Sequence, residues 1–279
     1  MILVTGATGG LGKLIVERLT GRGDVVAGTR SPEEVPAGMP ARHIDFDDAA
    51  SLAYGFADVD TLLLISAGYG EDDTVITRHG TAIEAAEKAG VRHIIYTSLS
   101  AAGDHLTYAL PHRWTERRLM RGTADWTILR NGLYAELLAG FAVADPDGRL
   151  TVPLADGRLA AVAREDLADV AARVVAQASS HVGQIYELVG EHAIGGDDLA
   201  EVLSGVTGTA VNYEPGTLAQ TRETFSASGA AAFQVPMVVG TFSAIASGFM
   251  GGTESDLAHL LGNHPRSALA VIAAMVDTR

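Results

Sequence analysis

Three glycines near the start of the chain have a spacing with a chemical use. Gly6-Ala-Thr8-Gly9-Gly10-Leu11-Gly12 follows directly on the apolar run Met1-Ile-Leu-Val-Thr. A glycine leaving a strand permits a tight turn. A second lets backbone approach a phosphate, and a third lets the next helix pack closely on the strand. The free N–H groups and positive dipole end of that helix then favour an anion. Gly6, Thr8, Gly9, Gly10, Leu11 and Gly12 are therefore the expected cradle for a dinucleotide pyrophosphate. A glycine-rich turn with no ligand is the plainer alternative. The strand before it and the helix after it weigh against that reading.

The next informative residues are Gly28-Thr29-Arg30-Ser31, at the end of the second apolar run. An acid there would accept from a ribose 2′-hydroxyl and mark NAD(H). Arg30 instead offers a planar fork of donors to a 2′-phosphate. The expectation is NADPH/NADP over NAD, with Arg30 as a solvated loop residue the alternative. Asp45 and Phe46 fall where adenine would lie. The ring could flank the base and the carboxylate take its amino group; Phe46 as a core residue is the other reading. Ile65, Ser66 and Ala67 close the fourth apolar run and should line the cofactor ribose, where open α/β sheets place ligands.

These residues need an alternating α/β scaffold, and the pattern provides one. Strands are predicted at 2–5, 25–28, 42–44, 61–66, 93–98, 126–130 and 185–188, and helices at 11–20, 49–56, 72–89, 111–121 and 166–177. The predicted fold is a Rossmann-type doubly wound parallel sheet with a smaller, mostly helical C-terminal substrate domain. The expected division is 1–190 for the NADP-binding domain, with 140–163 contributing to the cleft, and 191–279 for the substrate-binding domain. Helices are expected there at 197–203, 256–261 and 268–275. Residues 224–253 carry no charge. Their glycines, Pro236 and hydroxyl side chains argue against a membrane span. They read as buried core, as an apolar substrate cover, or as a subunit contact.

Composition narrows the class. Of 279 residues, 47% are apolar, which is ample for a core. A net charge of −14 argues against nucleic acid or an anionic membrane as the main partner. With no cysteine, disulfides, thiolate metal sites and cysteine nucleophiles are excluded. The first strand begins at residue 2, where a signal peptide would need its own segment, so a cytoplasmic protein is expected. Lys13 and Lys88 are the only lysines beside abundant arginine and alanine, which suggests a GC-rich bacterial genome.

Taken together, these motifs resemble the NmrA-like atypical short-chain dehydrogenase/reductase family, and within it the bacterial NADPH-dependent quinone oxidoreductase type 2 group. The resemblance is carried by Gly6 to Gly12, by Arg30, and by Asp45-Phe-Asp-Asp48. Ala85-Ala-Glu-Lys-Ala-Gly-Val91 with His93-Ile-Ile-Tyr-Thr-Ser98, His112-x-x-Thr-Glu116, Leu129-Arg-Asn-Gly-Leu-Tyr134 and Asp256-Leu-x-x-Leu-Leu-Gly-x-x-Pro265 extend it along the chain. It implies an NADPH-dependent oxidoreductase passing hydride directly to a quinone or similar planar, conjugated, apolar acceptor, without flavin. A non-catalytic NADP(H)-sensing regulator and a secondary-metabolism ketoreductase are the alternatives. A homodimer is compatible with either.

Ordinary members of the wider superfamily use Tyr-x-x-x-Lys, the lysine lowering the tyrosine pKa so that it delivers a proton. This chain has Tyr108-x-x-x-His112, with Pro111 between. A neutral imidazole cannot supply a fixed positive charge but can hydrogen-bond a ribose hydroxyl. His112 is therefore expected at the nicotinamide ribose and Tyr108 at the acceptor. Asn131 is a donor to the carboxamide or acceptor, and Tyr69, Tyr134 and Phe233 are substrate-pocket residues. The structural alternative pairs His112 with Glu116 one helical turn later. The same pair makes only two points of a metal site, and no metal is expected.

Overall fold

The computed structural model describes residues 1–67 and 70–278. In chain order the elements are β1 (Ile2–Val4), α1 (Gly10–Arg18), β2 (Val25–Thr29), β3 (Ala41–His43), α2 (Ala49–Gly55), β4 (Thr61–Ile65) and α3 (Asp72–Lys88). There follow β5 (His93–Leu99), α4 (Ala109–Met120), β6 (Asp125–Asn131), α5 (Ala135–Phe141), β7 (Arg149–Val152), α6 (Arg164–Ala176) and β8 (Gln184–Leu188). The last are α7 (Gly196–Thr207), β9 (Asn212–Pro215), α8 (Leu218–Ala227), α9 (Gln234–Ala246), α10 (Leu257–Leu261) and α11 (Ala268–Asp277).

The chain forms two compact units. The first comprises 1–99, 110–131 and 167–186; the second comprises 100–109, 132–166 and 187–279. Segments 100–109 and 132–166 thus group with the C-terminal residues, unlike a single division at 190.

A seven-stranded sheet has the order β3-β2-β1-β4-β5-β6-β8, and the pairs from β3 through β6 are parallel. Strand order reverses between β1 and β4, which places a ligand crevice at their carboxyl ends. Leu62, Leu63 and Leu64 of β4 have no exposed surface, as a strand covered on both faces requires. Leu3, Leu62, Leu64, Ile94 and Tyr96 pack with Leu52 and Phe56 of the α2 region and with Ala82, Ile83 and Ala86 of α3. α3 starts with Asp72 and Asp73 and ends with Lys88, each charge suited to the helix dipole at its end. Asp48 caps α2 by accepting from the Ala50 N–H at 2.9 Å.

The second unit holds a parallel two-stranded sheet, β7 with β9, and helices around it. Phe141 of α5 meets Phe242 of α9 edge to face, with ring centroids 4.8 Å apart. Buried Asp166 accepts from both the backbone N–H and the guanidinium of Arg266. The uncharged stretch 224–253 forms the end of α8, the turn after it, α9 and the loop that follows α9. Among the described residues no helix is long and apolar enough to cross a membrane.

Candidate functional site

The turn leaving β1 is built as its glycines require. Gly6 has φ +61°, a left-handed conformation that a side chain would strain. A Cβ on Gly12 would lie 2.0 Å from the Gly6 carbonyl oxygen and 2.7 Å from its carbon, so α1 passes the turn at a distance only glycine allows. At Gly9 the same Cβ would stand 3.2 Å from that oxygen. Gly9 caps α1 with no side-chain bond, and the first turn holds no acid. Its amide N–H groups are left to a ligand or solvent.

Neighbouring strands hold this turn in place. The Ala7 N–H donates to Gly28 O at 3.1 Å, and the Thr8 and Thr29 hydroxyls are 2.8 Å apart. Thr5 Oγ1 accepts from the Ile65 N–H at 2.9 Å. At the switch point these ends enclose a cavity of about 560 Å³, lined by Gly6, Thr8, Gly9, Thr29, Arg30, Ile44, Asp45, Phe46, Asp47, Ile65, Ser66, Ala67 and Arg78. Nine expected cofactor residues share this one wall. Gly10, Leu11 and Gly12 do not. Gly10 opens α1, while Leu11 and Gly12 are buried behind the turn, so their part is to shape it. Phe46 combines its two readings, lining the cavity while packing on the core. One oxygen of Asp45 accepts from the Asp47 N–H.

Thr29, Ile44, Asp47 and Arg78 were not anticipated. Arg78 comes from α3, and its guanidinium holds Asp47 through two bonds of 2.7 and 2.5 Å. That bidentate pairing holds the Asp47 carboxyl below the usual carboxylate range, with the Arg30 charge adding to it. Arg30 itself makes no hydrogen bond or ion pair with any described residue. The cavity thus has one neutralised guanidinium and one uncommitted one.

Beyond the cavity, His112 sits in the first turn of α4, which begins at Ala109, two residues before the predicted start. Its Nδ1 lies 2.9 Å from the Tyr96 hydroxyl. Burial and the Arg113 charge drive its pKa down to about 4, so the imidazole is neutral near pH 7. The alternative His112–Glu116 pairing does not form. Glu116 is buried and takes Ser98 Oγ at 2.6 Å, Arg113 at 2.8 Å, and Arg130 at 3.0 and 2.8 Å. Burial alone would raise its pKa; the Arg130 and Ser98 bonds and both arginine charges outweigh this and lower it. Two guanidiniums satisfy the carboxylate better than a neutral ring could. Among the described residues no three His, Asp or Glu side chains could hold a metal ion.

Asn131 ends β6, is 7% exposed, and its amide has no hydrogen-bond partner among the described residues. In the second unit Tyr108 precedes α4, and its hydroxyl lies 3.1 Å from Thr241 Oγ1. Thr241 spends its own proton on Met237 O at 2.8 Å, so Tyr108 is the donor. Burial pushes the Tyr108 phenol up. Tyr134 stands before α5 with the Arg164 guanidinium 4.9 Å above its ring, and Phe233 precedes α9, half-buried. Tyr69 lies outside the described residues.

Comparisons with known proteins agree with this geometry. A family described as NAD(P)H-binding matches residues 6–178. Quinone oxidoreductase 2 of Escherichia coli is 34% identical over 279 residues, spanning 97% of this chain and 96% of that protein. An NmrA-like family domain-containing oxidoreductase of Aspergillus flavus is 29% identical, spanning 94% and 91%. The crystal structure of Citrobacter sp. triphenylmethane reductase complexed with NADP(H) superposes with a TM-score of 0.89 at 28% identity, covering 99% of each chain.

Proposed function

Because the chain belongs to the NAD(P)H-binding, NmrA-like family, we propose that it is an NADPH-dependent reductase of a quinone or similar planar, conjugated, apolar acceptor. One observation carries the reading: the glycine turn and the uncommitted Arg30 share a single cavity at the strand-order switch. The residues present fit the dinucleotide. Gly12 leaves the turn room that a Cβ would fill, and the first α1 amides have no capping side chain. Gly6, Thr8 and Gly9 would hold the diphosphate, Arg30 the 2′-phosphate, and Phe46 one face of the adenine. Ile65, Ser66 and Ala67 would border the ribose.

When bound, NADPH supplies two electrons as a hydride. The chain's own residues then need only orient an apolar acceptor and stabilise negative charge on its oxygen. We assign His112 to the nicotinamide ribose, as a neutral donor. Asn131, whose amide is unspent, donates to the carboxamide or acceptor. Tyr108 polarises the acceptor oxygen, and Tyr134 and Phe233 line its pocket. Quinones and triphenylmethane dyes, named for relatives, are both conjugated ring systems that can accept a hydride, which supports a conjugated acceptor. The net charge of −14 supports a small-molecule partner over nucleic acid. We place the protein in the cytoplasm.

The test is loss of NADPH absorbance with a panel of quinones and triphenylmethane dyes. Saturable oxidation with at least one acceptor class is expected. NADPH binding without turnover of any acceptor would overturn the reductase reading and favour an NADP(H) sensor.

A further inference from the structure

Behind the cavity wall lies a buried chain of hydrogen bonds whose proton positions can be read one by one. The Ala67 N–H donates to His79 Nε2 at 2.9 Å, so that nitrogen is unprotonated. His79 Nδ1 must then carry the hydrogen, which it gives to Thr115 Oγ1 at 2.8 Å. Thr115 passes its own hydrogen to Pro111 O at 2.7 Å. Backbone groups fix both ends, so the direction of the chain cannot reverse. The path ties the cavity wall at Ala67 to the first turn of α4, where His112 sits.

Tyr96 stands beside this path with no exposed surface, its ring edge-on to His79 at 5.5 Å. Burial pushes its phenol pKa up, so the hydroxyl keeps its hydrogen. Among the described residues its hydroxyl makes one hydrogen bond, to His112 Nδ1 at 2.9 Å.

We propose that Tyr96 is a positioning residue that donates to His112 Nδ1 and so fixes His112 as the neutral Nε2–H tautomer, a hydrogen-bond donor and not a base. A reversed bond, Nδ1–H to the phenol oxygen, would leave a buried phenol hydrogen without an acceptor, at the cost of a lost hydrogen bond. His112 Nε2 has no partner among the described residues and is the nitrogen left for a ligand. The helix dipole at the first turn of α4 acts in the same direction by disfavouring an imidazolium. The titratable and charged groups facing His112 are Tyr96 on β5, His79 on α3, and Arg113 and Glu116 on α4. Glu116 favours protonation, but Arg113 and Arg130 hold it.

The effect on KM for NADPH rests on the reductase reading; the tautomer does not. Nitrogen NMR of histidine-labelled protein tests it, with the His112 signals identified by their absence in His112→Gln. The expected wild-type result is an unprotonated Nδ1, a protonated Nε2, and no titration between about pH 5.5 and 8. A protonated Nδ1, or an imidazolium at pH 7, overturns the proposal whether or not any acceptor is reduced. In Tyr96→Phe the two tautomers should mix, and KM for NADPH should rise up to about five-fold, as weakening of one hydrogen bond to the ribose predicts, with kcat little changed. A Tyr96→Phe spectrum identical to wild type also overturns it. If that variant does not fold, the wild-type spectrum alone decides.

Discussion

His79 makes unit 1 sensitive to mild acid in a way that can be calculated. Its imidazole has no exposed surface, and burial, with the His112 and Arg78 charges, drives its pKa from 6.5 to about 3. Protonation would also remove the acceptor for the Ala67 N–H. The unfolded chain binds this proton below about pH 6.5, while the native chain does not until about pH 3. Stability from His79 is therefore complete above 6.5, is lost as pH falls toward 3, and is constant below that. The full span is about 5 kcal/mol, of which about 2 kcal/mol disappears between pH 7 and pH 5. His93, His112 and His181 shift in the same direction, so the comparison must be between variants. In His79→Gln the amide oxygen can still accept from Ala67 and the amide N–H can still donate to Thr115, without titrating. Both tryptophans, Trp114 and Trp126, lie in this unit, so urea unfolding followed by their fluorescence reports it directly. His79→Gln should lose about 2 kcal/mol less than wild type between pH 7 and pH 5. Equal losses in the two proteins would refute the claim that His79 is held neutral.

Two further substitutions probe the turn and the ion network. Gly12→Ala should destabilise the protein by about 1–3 kcal/mol and weaken NADPH binding at least about ten-fold, because its Cβ meets the Gly6 backbone at 2.0 Å. Gly205→Ala, in α7 with open space around it, is the control and should gain up to about 1 kcal/mol; calorimetry and urea melts check both. Glu116→Gln should cost about 3–5 kcal/mol in tryptophan-detected unfolding, because it leaves Arg113 and Arg130 without their buried counter-charge. A loss below about 1 kcal/mol would mean the three side chains act as a surface pair.

The sheet and cofactor wall were legible because their signals are local. The predicted strands, such as 61–66 after Asp60 and 2–5 before Gly6, each became a strand within a residue or two of their expected ends. Gly6 to Gly12 and Arg30 announce themselves by type and spacing. Arg78 did not, since a lone arginine inside α3 resembles a solvated helix face until the fold brings it beside Asp47. Tyr96 was hidden by its surroundings, an aromatic in an apolar strand that reads as core. In the second unit, β9 is Asn-Tyr-Glu-Pro, with no alternation to mark it, and pairing with β7 alone makes it a strand. α9 carries no charge to show which face is exposed, so its period was invisible. The His112–Glu116 pairing failed because helical spacing brings residues near one another but does not rank competing partners. Arg130 from β6 wins on charge.

The most direct test of the central claim is calorimetric titration of wild type and Arg30→Asp with NADPH and with NADH. A free guanidinium on the cavity wall predicts that wild type prefers NADPH, and that the substitution lowers NADPH affinity about ten-fold or more while leaving NADH binding nearly unchanged. The same preference in both proteins would show that the cavity at the end of β2 does not select the 2′-phosphate, and binding of neither nucleotide would contradict the site itself.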